Sequence, residues 1–220
     1  GSDWLFVRQS PSGHIFFRGA EGTDHVVIYD VAQTGARSWA LDGPPLTVPG
    51  VLETDARIGM PSSTTGVIYD VEQVQAEGGS NSDYYYVTAT AFATENLLIN
   101  GNAGADFVQL ATTAGGATEV VIGTGDGLDT IEVVSTAVGT DRVIIRTGAG
   151  ADTIRVGSAT TLLSDIHGLI DVCQYDTVVD DILNIYSGSL AGTVAEGRVN
   201  RTSLTGLGLD QGISYNRLGG

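Results

Sequence analysis

The chain has 220 residues, 42% hydrophobic and 16% charged, with 31 glycines, which is too apolar for a disordered chain and lacks the glycine period of collagen. Ten basic residues, all arginine, stand against 26 acidic ones, and a net charge of −16 repels phosphate backbones and anionic headgroups. No nucleic-acid partner and no membrane insertion are therefore expected, no apolar run approaches the roughly 20 residues of a spanning helix, and the lone Cys173 excludes an intrachain disulfide.

Gly1-Ser2 reads as a cloning scar, and the chain as a fragment of a longer one. From there an aspartate followed by alternating apolar residues sets the pattern: Asp3 with Leu5 and Val7, then Asp24 with Val26 and Ile28. A period of two predicts strands with one buried face. Residues 3–29 are thus expected to form the first coils of a repeat. The stretch 30–73 breaks the rule. Asp24 and Asp83 lie 59 residues apart, two and a half repeats, with Pro44, Pro45, Pro49 and Pro61 between them. An irregular, loop-rich insertion is expected there. It is expected to fold back over the outward aromatics Trp4, Phe6, Tyr84, Tyr86 and Phe107.

Regular coils are expected over 74–186. Asp83, Asp106, Asp129 and Asp152 are spaced by 23 residues, and a degenerate Asp176 follows 24 further on. Two residues after the first four stand Tyr85, Val108, Ile131 and Ile154; four after stand Val87, Leu110, Val133 and Val156. A second strand precedes three of the turns: Leu97-Leu98-Ile99, Val120-Val121-Ile122 and Val143-Ile144-Ile145. Such a unit cannot bury its face alone, so successive units must stack. The expected fold is all-β: a right-handed parallel β-helix, or β-solenoid, with residues 23 apart about 4.8 Å from one another. Residues 187–220 begin another irregular segment within the same solenoid. Gly66-Val67-Ile68-Tyr69 returns there as Gly212-Ile213-Ser214-Tyr215, 146 residues on, and Asp24 finds a counterpart in Asp176. A larger module of about 150 residues is expected to repeat.

The glycine–aspartate turns resemble the RTX (haemolysin-type) nonapeptide, glycine-glycine-x-glycine-x-aspartate before an apolar residue. Gly101–Asp106, Thr124–Asp129 and Thr147–Asp152 carry the resemblance best. They depart from the family in holding one motif per coil, where RTX nonapeptides follow one another directly. The resemblance implies Ca²⁺ held between stacked turns, with Asp83, Asp106, Asp126, Asp129 and Asp152 as the ligands. Ca²⁺ takes six to eight hard oxygens, which carboxylates and carbonyls of adjacent turns can supply. The competing reading is that each aspartate closes its own turn by hydrogen bonds.

The function expected is that of a structural, adhesive repeat module of a large secreted or cell-surface protein, partnered by neighbouring modules of its own chain and not an enzyme. One alternative is a carbohydrate-binding module that meets extracellular polysaccharide through its outward aromatics. A further one is part of a β-helical polysaccharide lyase or epimerase, resting on Arg142, Arg146 and Arg155 near Glu132 and Asp141. His14, His25 and His167 fall on different coils and join no such cluster. Serine-triad, zinc-protease and phosphate-loop patterns are absent from the sequence.

Overall fold

The computed structural model describes residues 1–8, 14–29, 37–42, 56–59, 66–114, 117–173, 181–188 and 197–216. The four prolines of the insertion and Asp176 lie outside them. The described strands are, in chain order, β1 (Trp4–Val7), β2 (His14–Arg18), β3 (His25–Tyr29), β4 (Ser38–Asp42), β5 (Ala56–Gly59), β6 (Gly66–Asp70) and β7 (Gln73–Glu77). The regular part follows with β8 (Tyr84–Ala89), β9 (Asn96–Asn100), β10 (Phe107–Ala114), β11 (Glu119–Gly123), β12 (Thr130–Ser135), β13 (Arg142–Arg146) and β14 (Thr153–Val156). The last are β15 (Leu169–Cys173), β16 (Ile182–Ile185), β17 (Gly197–Val199), β18 (Ser203–Gly206) and β19 (Ile213–Asn216).

They form two mostly parallel sheets. The first runs β1-β3-β7-β9-β11-β13-β15-β19-β18-β17, the second β16-β14-β12-β10-β8-β4-β5-β6-β2. From β7 to β16 the chain alternates strictly between them, and partners in register are 23 residues apart over the regular part. Val108 faces Ile131, which faces Ile154; Val120 faces Val143 in the other sheet. The alternation of each strand explains the core. Inward residues of both sheets, among them Val108, Leu110, Ile122, Ile131, Ile145 and Ile154, join one contiguous apolar cluster and are wholly buried. Fully burying an aliphatic side chain of this size contributes about 1.5–3 kcal/mol. At one turn between the sheets threonine hydroxyls tie successive repeats together: Thr94, Thr118 and Thr140 donate to the carbonyls of Val71, Glu95 and Ala117, each 23 residues back.

The insertion departs from expectation. Its described part is an antiparallel trio, β4-β5-β6, that enters the second sheet edge to edge, with β6 parallel to β2 and β4 parallel to β8. It widens the sheet and does not cover the outward aromatics. Trp4 stays 52% exposed, Phe6 60% and Tyr84 38%. A second trio, β17-β18-β19, enters the first sheet in the same way, with β19 parallel to β15.

The half-repeat in the Asp24–Asp83 spacing also has a consequence in space. Asp24 precedes β3 in the first sheet, whereas Asp83, Asp106, Asp129 and Asp152 precede β8, β10, β12 and β14 in the second. Asp24 therefore stands on the opposite corner from the others.

Candidate functional site: a buried carboxylate ladder

The turn aspartates do stack, but inward. Asp83, Asp106, Asp129 and Asp152 are at most 2% exposed. Each donates its backbone N–H to the carboxylate one rung further on: Asp83 to Asp106 Oδ1 at 2.7 Å, Asp106 to Asp129 at 2.8 Å, and Asp129 to Asp152 at 2.9 Å. Asp152 donates in turn to Asp181 Oδ1 at 3.1 Å, and Arg37 opens the series by donating to Asp83 Oδ1 at 2.9 Å. Their backbone carbonyls receive the first amide of the next strand, as when Phe107 donates to Asp83 at 2.8 Å. A carboxylate oxygen thus takes the place of a ladder carbonyl and carries the sheet's hydrogen bonding one residue into the turn. The hydrogen bonds run between rungs, where the turn-closing reading placed them within one. Asp83 makes both kinds, since its Oδ2 also accepts from Gly79 of its own turn at 2.9 Å.

A shorter ladder occupies the opposite corner. Asp3 donates to Asp24 Oδ1 at 2.7 Å, and Asp24 donates to Glu72 Oε2 at 2.8 Å.

Two residues fall differently from the sequence reading. Asp126 is exposed and sits between Ala103 and Ala149 on the outer side of the turn, so it does not join the column. Its charge still pushes up the Asp129 carboxyl. Asp181, not the expected Asp176, occupies the rung after Asp152. Seven residues, 174–180, precede it and break the count, but Asp181 with Leu183 and Ile185 keeps the aspartate-then-alternating signature that could have found it.

The glycines of these turns are required by close approach. A Cβ on Gly127 would lie 1.5 Å from the Gly104 carbonyl oxygen, and one on Gly150, at φ +135°, would lie 1.6 Å from that of Gly127. The turn backbones are also bonded directly to one another, Gly104 to Asp126, Asp126 to Asn102 and Gly127 to Ala149.

Electrostatics single out Asp106. Burial is the main cause that raises its carboxyl from 3.8 to about 7; the backbone hydrogen bond from Asp83 opposes this, and the neighbouring Asp129 and Asp83 charges add to it. Its Oδ2 is buried without a hydrogen-bond partner. That oxygen and the Thr124 carbonyl lie 2.1 and 2.7 Å from the point where a Gly101 Cβ would stand. Two acceptors converging with no donor between them suit a proton or a hard cation. One rung on, burial again raises Asp129, but the Thr124 hydroxyl is beside it and moderates the shift. As to ligand supply for Ca²⁺, each rung offers one carboxylate, with one oxygen, or in Asp83 both, already bonded to an amide. Among the described residues no three histidine, cysteine or acidic side chains converge.

A pH dependence follows. The folded protein keeps a proton on Asp106 up to about pH 7, while the unfolded chain releases it near 3.8. The folded state then binds more protons between these values, so this group's contribution to stability is full below 3.8 and is lost as pH rises through 7. Asp106→Asn keeps the Oδ1 acceptor and presents a donor to the Thr124 carbonyl. In buffer free of divalent cations, its melting temperature should match that of the native chain at pH 5 and exceed it at pH 8. An equal drop at both pH values would remove the titration from the account.

The arginines do not converge. Arg142 and Arg146 belong to β13 in the first sheet, and Arg142 pairs with Asp171. Arg155 lies on the second sheet and pairs with Glu132 at 2.6 Å. His25 stacks on Trp4 at 3.7 Å beside the shorter ladder, and His167 Nδ1 meets Asp210 at 2.8 Å. The chain matches no protein-family model, no curated protein and no solved structure.

Proposed function

We propose that the protein is a structural, adhesive repeat module of a large secreted or cell-surface protein, built as a right-handed parallel β-solenoid with RTX-like turns. The observation that carries this reading is the 23-residue register, held through both sheets by one core and by carboxylates that bond from rung to rung. A stack of this kind lengthens by adding units, each contacting its neighbours alone, so spacing and display are what it does best.

Ca²⁺ seated beside the turn carboxylates is part of the proposal. Its support is the orphaned, buried Oδ2 of Asp106 facing the Thr124 carbonyl, within a column whose like charges need an offset. When bound, the ion would supply that counter-charge; Asp83, Asp106, Asp129 and Asp152 would hold it, with Asp126 at the rim. The expected result is a higher melting temperature in millimolar Ca²⁺, by about 2.7 kcal/mol of added stability at a hundredfold excess over Kd. Mg²⁺ should act poorly, because it keeps its waters and demands compact octahedral geometry. Asp129→Ala should remove most of the effect and Asp24→Ala, in the other ladder, little. No heat of Ca²⁺ binding together with melting indifferent to chelator would leave the ladder as a hydrogen-bonding device without a metal.

A carbohydrate-binding role is the second reading, favoured by the outward aromatics, of which Tyr84 is exposed and Tyr86 and Phe107 half-buried. Phe107 lies between Tyr84 and Tyr86, with ring centroids 6.3 and 5.7 Å away, and Gln109, Glu132 and Arg155 continue the Tyr86 row along the outer face. Rings flanked by polar side chains suit the apolar face and hydroxyls of a sugar. Glycan-array binding lost in Tyr84→Ala would favour it over the purely structural role.

A further inference from the structure

We infer that the outer face of the second sheet holds a preformed subsite for one neutral pyranose ring, in a notch across β12, β14 and β16. The notch exists because of one glycine. Gly157 follows β14 at φ +80°, and a Cβ there would stand 2.0 Å from the Tyr186 carbonyl oxygen. A side chain is thereby excluded, so the floor between Val134 and Tyr186 is bare backbone. The Gly157 amide donates to Val133 and the Tyr186 amide to Val156, both at 2.8 Å, which sets Val134, Gly157 and Tyr186 side by side. The two walls therefore stand two strand spacings apart, about 9–10 Å. The cavity between them measures about 170 Å³. That is well below the volume of sites that take drug-sized ligands, and it suits a single ring.

Ser158 and Ala159 form the far side of the notch. The Ser158 hydroxyl accepts from the Thr160 and Thr161 amides at 3.1 and 3.0 Å, closing that turn on itself. Thr161 ties the turn to both flanks. Its hydroxyl donates to the Val134 carbonyl at 3.3 Å, and its carbonyl accepts from the Gly188 amide at 3.0 Å. A site held in this way is ordered before any ligand arrives, which spares binding the cost of ordering it.

The near side carries the polar groups. Arg155 Nη1 donates to Glu132 Oε1 at 2.6 Å, and Gln109 donates to Glu132 Oε2 at 3.0 Å. Both carboxylate oxygens are thus engaged. They hold a guanidinium whose remaining N–H groups make no hydrogen bond among the described residues, on a side chain 42% exposed. Opposite stands the Tyr186 ring, 43% exposed. A pyranose matches both, with a C–H face that packs on an aromatic ring and hydroxyls that accept from a guanidinium. Charge selects a neutral sugar over a uronate. Glu132 already neutralises Arg155, and a chain of net charge −16 repels polyanions. The notch also continues the outward row. Gln109, Glu132 and Arg155 lead from Tyr86 on β8 to its mouth, and β8 to β16 spans four strand spacings, about 19 Å. A saccharide lying across the strands would meet Tyr84 and Phe107 with one end and fill the notch with the other.

The inference rests on the carbohydrate reading above, though not on Ca²⁺. Its test is an array of neutral hexose and uronate oligosaccharides, from disaccharide to hexasaccharide, probed with the whole chain and its variants. The native chain should bind neutral members. Tyr186→Ala should weaken that binding about tenfold, the worth of one ring contact, while Tyr186→Phe should bind as the native chain does. Arg155→Lys keeps the charge beside Glu132 but loses the planar donors, and should weaken binding several-fold. Tyr186 and Arg155 are both partly exposed, so each variant should melt with the native chain. Native affinity in Tyr186→Ala with loss in Tyr84→Ala would overturn the notch and leave the carbohydrate reading standing. Binding confined to uronates would overturn the assignment to a neutral ring. Binding to no member of the array would overturn both readings.

Discussion

Ile131→Ala should destabilise the protein by about 2–5 kcal/mol, the range for large-to-small changes in a close-packed core. Ile131 is wholly buried, with Val108 and Ile154 as its register partners on either side. Truncation leaves a cavity that neither neighbour can fill, because both are held by strands bonded on both edges. The adjacent Thr130 points out of the same strand, and Thr130→Ala should cost only about 0.5 kcal/mol. Denaturant melts of the two variants check the phase of the strand. Equal losses would mean that the inward and outward faces have been exchanged.

The second large effect is expected at a turn. Gly150→Ala should cost about 3–5 kcal/mol, at the upper end for a single substitution. Two causes combine. Its φ of +135° strains any other residue, and the new Cβ would stand 1.6 Å from the Gly127 carbonyl oxygen, which is backbone and cannot swing aside. Gly139→Ala separates the two. Gly139 has φ +103°, but a Cβ there meets nothing within 4 Å, so it should lose only the strain, about 1–2 kcal/mol. The difference between the two variants measures how tightly successive turns are pressed together. If they cost the same, the rungs at the turn are looser than the backbone contacts imply.

The repeat was legible because its cause is local and periodic. A parallel pair keeps the same residue spacing along the whole ladder, so a 23-residue offset between Asp106, Asp129 and Asp152 is already a statement about register. Period-two alternation likewise identified Val108, Ile131 and Ile154 as inward. The place of the ladder's end was hidden by arithmetic. Residues 174–180 put Asp181 out of step, and counting alone chose Asp176. For Asp24 the count was already informative: the half-repeat that separates it from Asp83 is what puts it before a strand of the opposite sheet.

By itself the sequence determined the all-β class, the spacing of the rungs and which side chains face the core, since these follow from near-neighbour sterics and alternation. Only the tertiary structure decided what the aspartates face. A motif of glycines and an aspartate is compatible with a solvated turn, a metal or a buried acceptor. The choice depends on whether the next rung presents an unpaired amide, as Asp83 does to Asp106 and Asp106 to Asp129. It likewise decided the fate of the insertion. Antiparallel pairing of β4, β5 and β6 satisfies the backbone of a segment that breaks the repeat while keeping both neighbouring strands in one sheet. Such pairing joins residues by no fixed offset, so no periodicity could announce it. The second trio, β17 to β19, was hidden from the sequence for the same reason.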